Sequence, residues 1–550
     1  MKKNAFTLIE LLAVIIILAI IALIAVPIVI NIINDTKDES VKRSIKLYLD
    51  SLEKTITQEN LKAKYDPDKC IIQKNGNVIC SKNSNKLDTS NGTTELDMEI
   101  KGTNPISGTI YLKDGKIIDI IDIYINEQYY GFDDNKSIIL LDMPRTSGLY
   151  DENKKLTASW DELVNDYHLQ VTDGVLKNVG NVLRNSEFAN VKTFIISNDV
   201  KTIGYGAFNS GCNQLETIII PDSVTKIEAD AFANCTNLEN ITLPDNATNV
   251  AYSIFYHCEN LKNLKVSPSN PKYEDRGSNA IIEKETNTLV FGGVDTIIPS
   301  SVTKIGDYAF QHRKKLKNIV IPNSVESIGQ FAFDGCENLE EIIIPNSIKN
   351  IGVGAFRNCT KLESVTFEEN SQLTNMESGI FSNCKGLKSI VIPNSVTSIG
   401  NSAFWRSGLT SIVLPEELTS IGVETFFETD LLSITIPSSV TSIESRAFSG
   451  CKKLENITIP KNVTKIEGGT FKNCSKLKNI TIPSNIIEIG LEAFYNSGLT
   501  SATFKNTNGW YIVNTSNSII EDNIDMTSVS TNARKLITTY YPNYWKRNTN

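Results

Sequence analysis

The chain has 550 residues, more than one hydrophobic core usually serves, so more than one structural unit is expected. Asp and Glu (63) outnumber Lys and Arg (54), which gives a formal charge of −9 and a pI near 5.2. No basic stripe appears anywhere in the sequence, which argues against a nucleic-acid partner.

The first element is an apolar run from Phe6 to Ile33 whose only charge is Glu10. It exceeds the roughly 20 residues that span a bilayer. Lys2 and Lys3 precede it and no later hydrophobic segment follows, so the positive-inside bias puts the N-terminus in the cytoplasm and the bulk outside. A secretory signal peptide fits poorly, because the run is too long and no small-residue cleavage site follows it. A carboxylate at membrane depth costs roughly 2.5–3.5 kcal/mol unless it is paired, so Glu10 needs a partner or must snorkel to the interface. Beyond Ile33, Val41, Ile45, Leu49, Leu52 and Ile56 fall at helical spacing, and the helix is expected to continue to about residue 61.

The order of basic leader, Ala5, Phe6, Thr7, Leu8, Ile9 and Glu10 resembles the class III signal of type IV pilins and pseudopilins. The resemblance implies that a prepilin peptidase cuts between Ala5 and Phe6 and that Phe6 is then methylated. It also implies that Glu10 meets the terminal amine of a neighbouring pilin subunit, and it suits the kink expected at Pro27. Ala5 stands where the family usually has Gly. The competing reading is a plain membrane anchor.

Residues 66–142 read as a small β-rich head, with strands at Cys70–Cys80, Ser107–Leu112, Lys116–Ile125 and Ser137–Leu141. The first of these suits a hairpin whose loop is Lys74-Asn75-Gly76, and that register sets Cys70 opposite Cys80. Outside the cell the pair forms a disulfide or stays as two thiols. The other eight of the ten cysteines, Cys212 to Cys474, recur at one repeat position ahead of x-x-Leu. They read as a buried column of small apolar side chains, because no Cys-x-x-Cys and no histidine cluster supports a metal. Leu156 to Val164 reads as a linker helix, and the stretch to Ser197 as a cap over the first coil.

From about Val191 the sequence copies itself with a period of 23, and twelve marker phenylalanines run from Phe208 to Phe494. In each copy Leu-x-x-Ile-x-Ile-Pro is a short strand that the proline ends, and Val-x-x-Ile-Gly a second extended piece that bends at Gly. Units of this kind bury their apolar faces only against their neighbours, which predicts a solenoid. The pattern resembles the BspA-like, or Treponema-type, leucine-rich repeats of bacterial surface proteins. The long gap between Phe255 and Phe310 resembles the hairpin excursion of such arrays, with Arg276-Gly277-Ser278 in place of the customary Asp-Gly turn. The segment from Gly509 to Trp545 resembles the tail that follows their last repeat.

The expected fold is therefore α+β and multidomain. It has a leader (1–5), a pilin-type helix (6–62, transmembrane over 6–33), the small head (66–142), a linker and cap (143–190), a solenoid of about twelve coils (191–505) with an excursion near 267–297, and a C-terminal cap (506–550). Outward strand positions form a column that includes Thr242, Lys265, Thr366, Thr435, Thr458 and Thr481, a candidate face for an extracellular protein or glycan. The same composition is what an exposed strand prefers in any case. No cluster of Trp and Tyr marks a sugar platform on that face, and Trp405 stands alone among the coils. The resemblance implies adhesion; the alternative is a pseudopilin-type part of a pilus, secretion or DNA-uptake machine that carries the solenoid as a passenger. A surface enzyme ranks lowest. His168, His257 and His312 lie far apart in sequence, although a composite site near the excursion stays open, and no nucleophile elbow, cofactor loop or metal motif is present.

Overall fold

The computed structural model describes residues 147–539 and 543–548 except positions 210, 517 and 523, together with Lys42, Lys46 and the backbone of seven strands between residues 69 and 141. The leader, the apolar run and most of the stem lie outside the described residues, and with them Ala5, Phe6, Glu10 and Pro27. Among the described residues no helix is long and apolar enough to cross a membrane. The chain divides into two compact units, residues 1–147 with 151–156, and residues 148–150 with 157–550.

In the first unit the strands are β1 (Lys69–Ile72), β2 (Val78–Ser81), β3 (Thr94–Leu96), β4 (Ser107–Lys113), β5 (Lys116–Ile125), β6 (Gln128–Phe132) and β7 (Ile138–Leu141). They form one antiparallel sheet in the order β3-β2-β1-β4-β5-β6-β7, with Cys70 in register opposite Cys80. β3 and β6 carry little sequence signal. The first has three residues and the second, Gln-Tyr-Tyr-Gly-Phe, contains a glycine and no apolar alternation.

The second unit is a β-solenoid of about 14 turns with little helix. Twelve marker phenylalanines do not count the turn holding Val175–Lys177 and Val191–Ile195 or the excursion, neither of which carries a marker at the repeat spacing. One helix begins later than its sequence suggests: Leu156–Ser159 is a strand and the helix is Trp160–Asn165. Ser159 sets that start. Its Oγ accepts from the Glu162 N–H at 3.4 Å, and the Glu162 carboxylate accepts from the Ser159 N–H at 2.7 Å.

Neighbouring turns are bonded along three lines, two of them strand ladders that lapse between some coils. Long parallel strands form the first, as where Asn240–Leu243 pairs with Asn263–Val266; two-residue strands form the second, as where Lys226–Ile227 pairs with Asn249–Val250. The third lies in the turns. The marker phenylalanine N–H donates to the alanine carbonyl of the following coil, Phe310 to Ala332 at 2.7 Å and Phe333 to Ala355 at 2.7 Å. The glycine after the two-residue strand admits close approach of successive coils rather than a bend: a Cβ on Gly352 would fall 2.4 Å from the Gln330 amide nitrogen.

The strands alternate as a half-buried strand must, with Ile241 and Leu243 inside and Thr242 outside. The phenylalanine rings stack down the core, Phe310 on Phe333 at 4.9 Å and Phe333 on Phe356 at 5.2 Å, with nearly parallel planes. Buried apolar side chains form two clusters that meet at the excursion. In the strand Ala280–Glu283, Ile281 belongs to the first cluster and its neighbours Ala280 and Ile282 to the second.

At the far end Tyr544–Arg547 pairs antiparallel with both Glu488–Ile489 and Trp510–Val513, and buries Trp510 and Trp545. This covers the edge of the short-strand ladder that would otherwise stand open.

Candidate binding surfaces

On the strand face Thr242, Lys265, Thr366, Thr435, Thr458 and Thr481 are all exposed. Neighbouring coils align them in register: Thr242 stands opposite Lys265, and Thr366 opposite Ile343. The same outward column holds apolar residues as well. Val320, Ile343, Val391 and Val413 are 82%, 56%, 65% and 59% exposed. Their β-branched types read as ordinary strand residues, so only the accessible surface distinguishes them.

The turn face carries the aromatic residues. Tyr252 stacks with Tyr308 at 5.7 Å and Tyr308 with Phe331 at 5.6 Å, with the Arg357 guanidinium 4.8 Å from the Phe331 ring centre. Trp405 is not isolated: it stacks with Phe427 at 6.2 Å under the Arg406 guanidinium. His257 and His312 lie ring on ring at 3.7 Å, with Tyr256 edge-on to both. Burial, then the neighbouring His257, push the His312 pKa down to about 4; burial also lowers that of His257. Two neutral stacked rings are a packing element. Neither histidine is hydrogen-bonded to a nucleophile, and His168 takes no part in the pair.

The excursion closes on itself. Tyr273–Glu274, Ala280–Glu283 and Thr288–Gly292 pair antiparallel in sequence, and the last runs parallel to Lys304–Ile305 to resume the solenoid. Asn270 is fully buried, donating to the Pro244 carbonyl at 2.7 Å and accepting from the Lys272 and Tyr273 amides. At the Arg276-Gly277 turn both residues take positive φ, +50° and +69°. Arg276 holds that turn by donating to Glu274, Asn287 and Ser301.

The eight repeat cysteines are buried. In six of them the thiol donates to the marker-phenylalanine carbonyl of the coil before, as Cys336 to Phe310 at 3.2 Å and Cys359 to Phe333 at 3.2 Å. Burial pushes the Cys336 and Cys451 thiols up to about 12, so they stay protonated and able to donate. At Arg313 the cysteine position holds a buried cation instead. Its Nε donates to the Gly292 carbonyl at 2.9 Å, and one Nη to the carbonyls of Cys258, Phe255 and Gln311 at 2.9–3.3 Å. Burial lowers its pKa. Among the described residues no group of three His, Cys, Asp or Glu side chains is placed to hold a metal ion.

Coils joined by parallel ladders around stacked apolar cores define a leucine-rich-repeat solenoid. Residues 181–291, 294–410 and 398–515 match the BspA type leucine rich repeat region, and the chain belongs to that family. Residues 1–26 match the prokaryotic N-terminal methylation motif, which is a substrate signal for prepilin peptidase. Two similar solved structures are a leucine-rich repeat protein from Eubacterium ventriosum, 22% identical with a TM-score of 0.34 and covering 62% of this chain and 95% of that one, and a leucine rich cell surface protein from Faecalibacterium prausnitzii, 27% identical with a TM-score of 0.34 and covering 53% and 89%. No curated protein matches the chain.

Proposed function

We propose that this is a non-catalytic protein held at the cell surface by its N-terminus, whose solenoid binds protein or glycan outside the cell. The observation that carries this is the outward column. A chain that buries its core isoleucines and phenylalanines leaves Val320, Ile343, Val391 and Val413 in solvent, on two pairs of adjacent coils. The methylation motif supports cleavage between Ala5 and Phe6, a methylated Phe6, a membrane helix over 6–33 and contact of Glu10 with other pilin subunits. The register of β1 and β2 supports a Cys70–Cys80 disulfide. The domain bounds that go with this reading are 1–5, 6–62, 66–142, 143–190, 191–505 and 506–550.

The same motif favours a second reading, a pseudopilin-type component with the solenoid as passenger. Deleting residues 191–505 separates the two. Loss of attachment to matrix-coated surfaces with intact membrane assembly supports the first; lost export or DNA uptake supports the second. Mass spectrometry of the mature N-terminus is expected to find a methylated Phe6, and a chain still beginning at Met1 would leave only a simple anchor.

A further inference from the structure

Over the coils that carry Phe310, Phe333, Phe356 and Phe381, the line of two-residue strands is hollowed into a trough of about 360 Å³. That is the size of a small-molecule site. Its floor is bare where Gly329 and Gly352 stand four residues before their marker phenylalanines, and Glu377, at the same repeat offset on the next coil, closes one end. Lys304 and Asp307 line the other end, three coil steps or about 14 Å away.

Beneath the trough Lys304–Ile305 and Ser327–Ile328 are each paired on both sides, so their backbone is spent on neighbouring strands and recognition falls to side chains. Those side chains balance in charge, Lys304 and Lys349 against Asp307 and Glu377. Three amides join them on successive coils, Gln330, Asn350 and Asn375, each both donor and acceptor. Little of this capacity is used inside the protein. Among the described residues the side chains of Lys304, Asn350 and Glu377 make no hydrogen bond or ion pair. Gln330 donates to Asp307 at 3.2 Å, Asn375 accepts from the Ser398 hydroxyl at 2.8 Å, and Lys349 pairs with Glu326 at 2.8 Å. Val353, 40% exposed, supplies an apolar wall, and Tyr308 and Phe331 of the stacked rings follow Asp307 and Gln330 directly in the chain.

We propose that this trough binds a short neutral oligosaccharide that carries N-acetyl groups. Each acetamide sets one N–H and one C=O against the row of amides, the ring C–H groups lie on the bare floor and on Val353, and hydroxyls bond to Lys304, Asp307 and Glu377. A sulfated or uronic-acid glycan would meet Asp307 and Glu377 with no net positive charge to hold it, and an extended peptide would find the strands of the floor already paired. The inference rests on the binding reading above and assigns the glycan and the place that takes it.

The test uses the full-length protein in detergent and fluorescein-labelled chitotetraose, the tetramer of N-acetylglucosamine, read by fluorescence anisotropy. Saturable binding is expected. It falls by about tenfold or more in the N350A/N375A double variant, is lost in N350W, whose ring fills the trough, and stays unchanged in S420A/S442A at the same offset on other coils. Both asparagines are exposed, so these variants keep the wild-type circular dichroism. Unlabelled chitotetraose displaces the probe, the fully deacetylated tetramer does so about tenfold less well, and a heparin tetrasaccharide does not. The proposal is overturned by absent binding, by equal binding to N350A/N375A or N350W, or by equal displacement with the deacetylated tetramer or heparin. A cell-attachment assay run beside it separates the two readings. Wild-type cells that attach while chitotetraose fails to bind sink the trough alone, and cells that never attach while it binds sink adhesion alone.

Discussion

From Phe310 to Phe356 one coil is joined to the next by the same few bonds, whereas the junction between the two halves of the solenoid is made differently. In the regular stretch from Phe310 to Phe356, each phenylalanine ring stacks on the next, its N–H reaches the following alanine carbonyl, and its own carbonyl accepts a cysteine thiol. At the junction, coils carrying Phe255 and Phe310 have the excursion between them. A thiol spans only one step of the stack; Arg313, at the same repeat position, has the length to reach Phe255, Cys258 and Gly292 together. A repeat array therefore tolerates an insertion where one longer donor replaces the bonds the insertion removes.

The largest effect is expected inside the regular stretch. Phe333→Ala removes one ring from the stack and should cost about 3–5 kcal/mol, read as early loss of amide protection in the coils on either side. Uniform loss over all coils would mean that the array unfolds as one unit rather than by neighbours. Arg313→Ala should cost about 3 kcal/mol, because several carbonyls shut away from water lose a charged donor. Its signature differs in kind. Denaturant unfolding followed by tryptophan fluorescence and by hydrogen exchange should split into two transitions divided at the excursion, where the two apolar clusters meet. A single transition displaced as a whole would show that the hairpin alone couples the halves.

Much of the regular stretch is legible in the sequence, since a period of 23 with apolar residues at fixed offsets specifies coil, strand face and buried column together. The alternation of Ile241, Thr242 and Leu243 tells which side chains point out. The junction is not legible in this way. Arg313 and Cys258 are 55 residues apart, which is no multiple of the repeat, so nothing local marks them as partners. His257 and His312 are brought together by the same detour. On the turn face Tyr308 and Phe331 share one offset, two residues before their marker phenylalanines, whereas Tyr252 stands three before its own, so only the packing of coils aligns it with Tyr308. The period also sets Val320 and Val391 in the outward column, but how far solvent reaches them is not legible, because sequence gives residue type and not accessible area.

A smaller effect is expected from Cys336→Ala, which keeps a small apolar group in the column and loses one thiol-to-carbonyl bond, for about 1 kcal/mol. In the intact protein this thiol should ignore disulfide reagents at pH 8, since burial holds it protonated up to about 12. Rapid modification before unfolding would show that the column opens coil by coil.

The smallest effect belongs to the junction again, through the stacked histidines. In the folded chain His312 protonates only near pH 4, against about 6.5 in an unfolded one, so below 6.5 the unfolded chain takes up a proton that the folded chain refuses. Stability from this group is complete above pH 6.5 and is lost as the pH falls toward 4. Burial and the neighbouring His257 set the sign at His312, where Asp334 pulls upward and Arg313 and Lys314 downward, while Glu259, Asp334 and Glu337 pull upward on His257 against its own burial and Lys314. His312→Phe keeps a ring on His257 and removes the titration, and its melting temperature should fall less than the wild type's between pH 7 and pH 4.5. An equal fall in both proteins would place the acid sensitivity in the carboxylates of the regular coils and leave the junction without a pH response of its own.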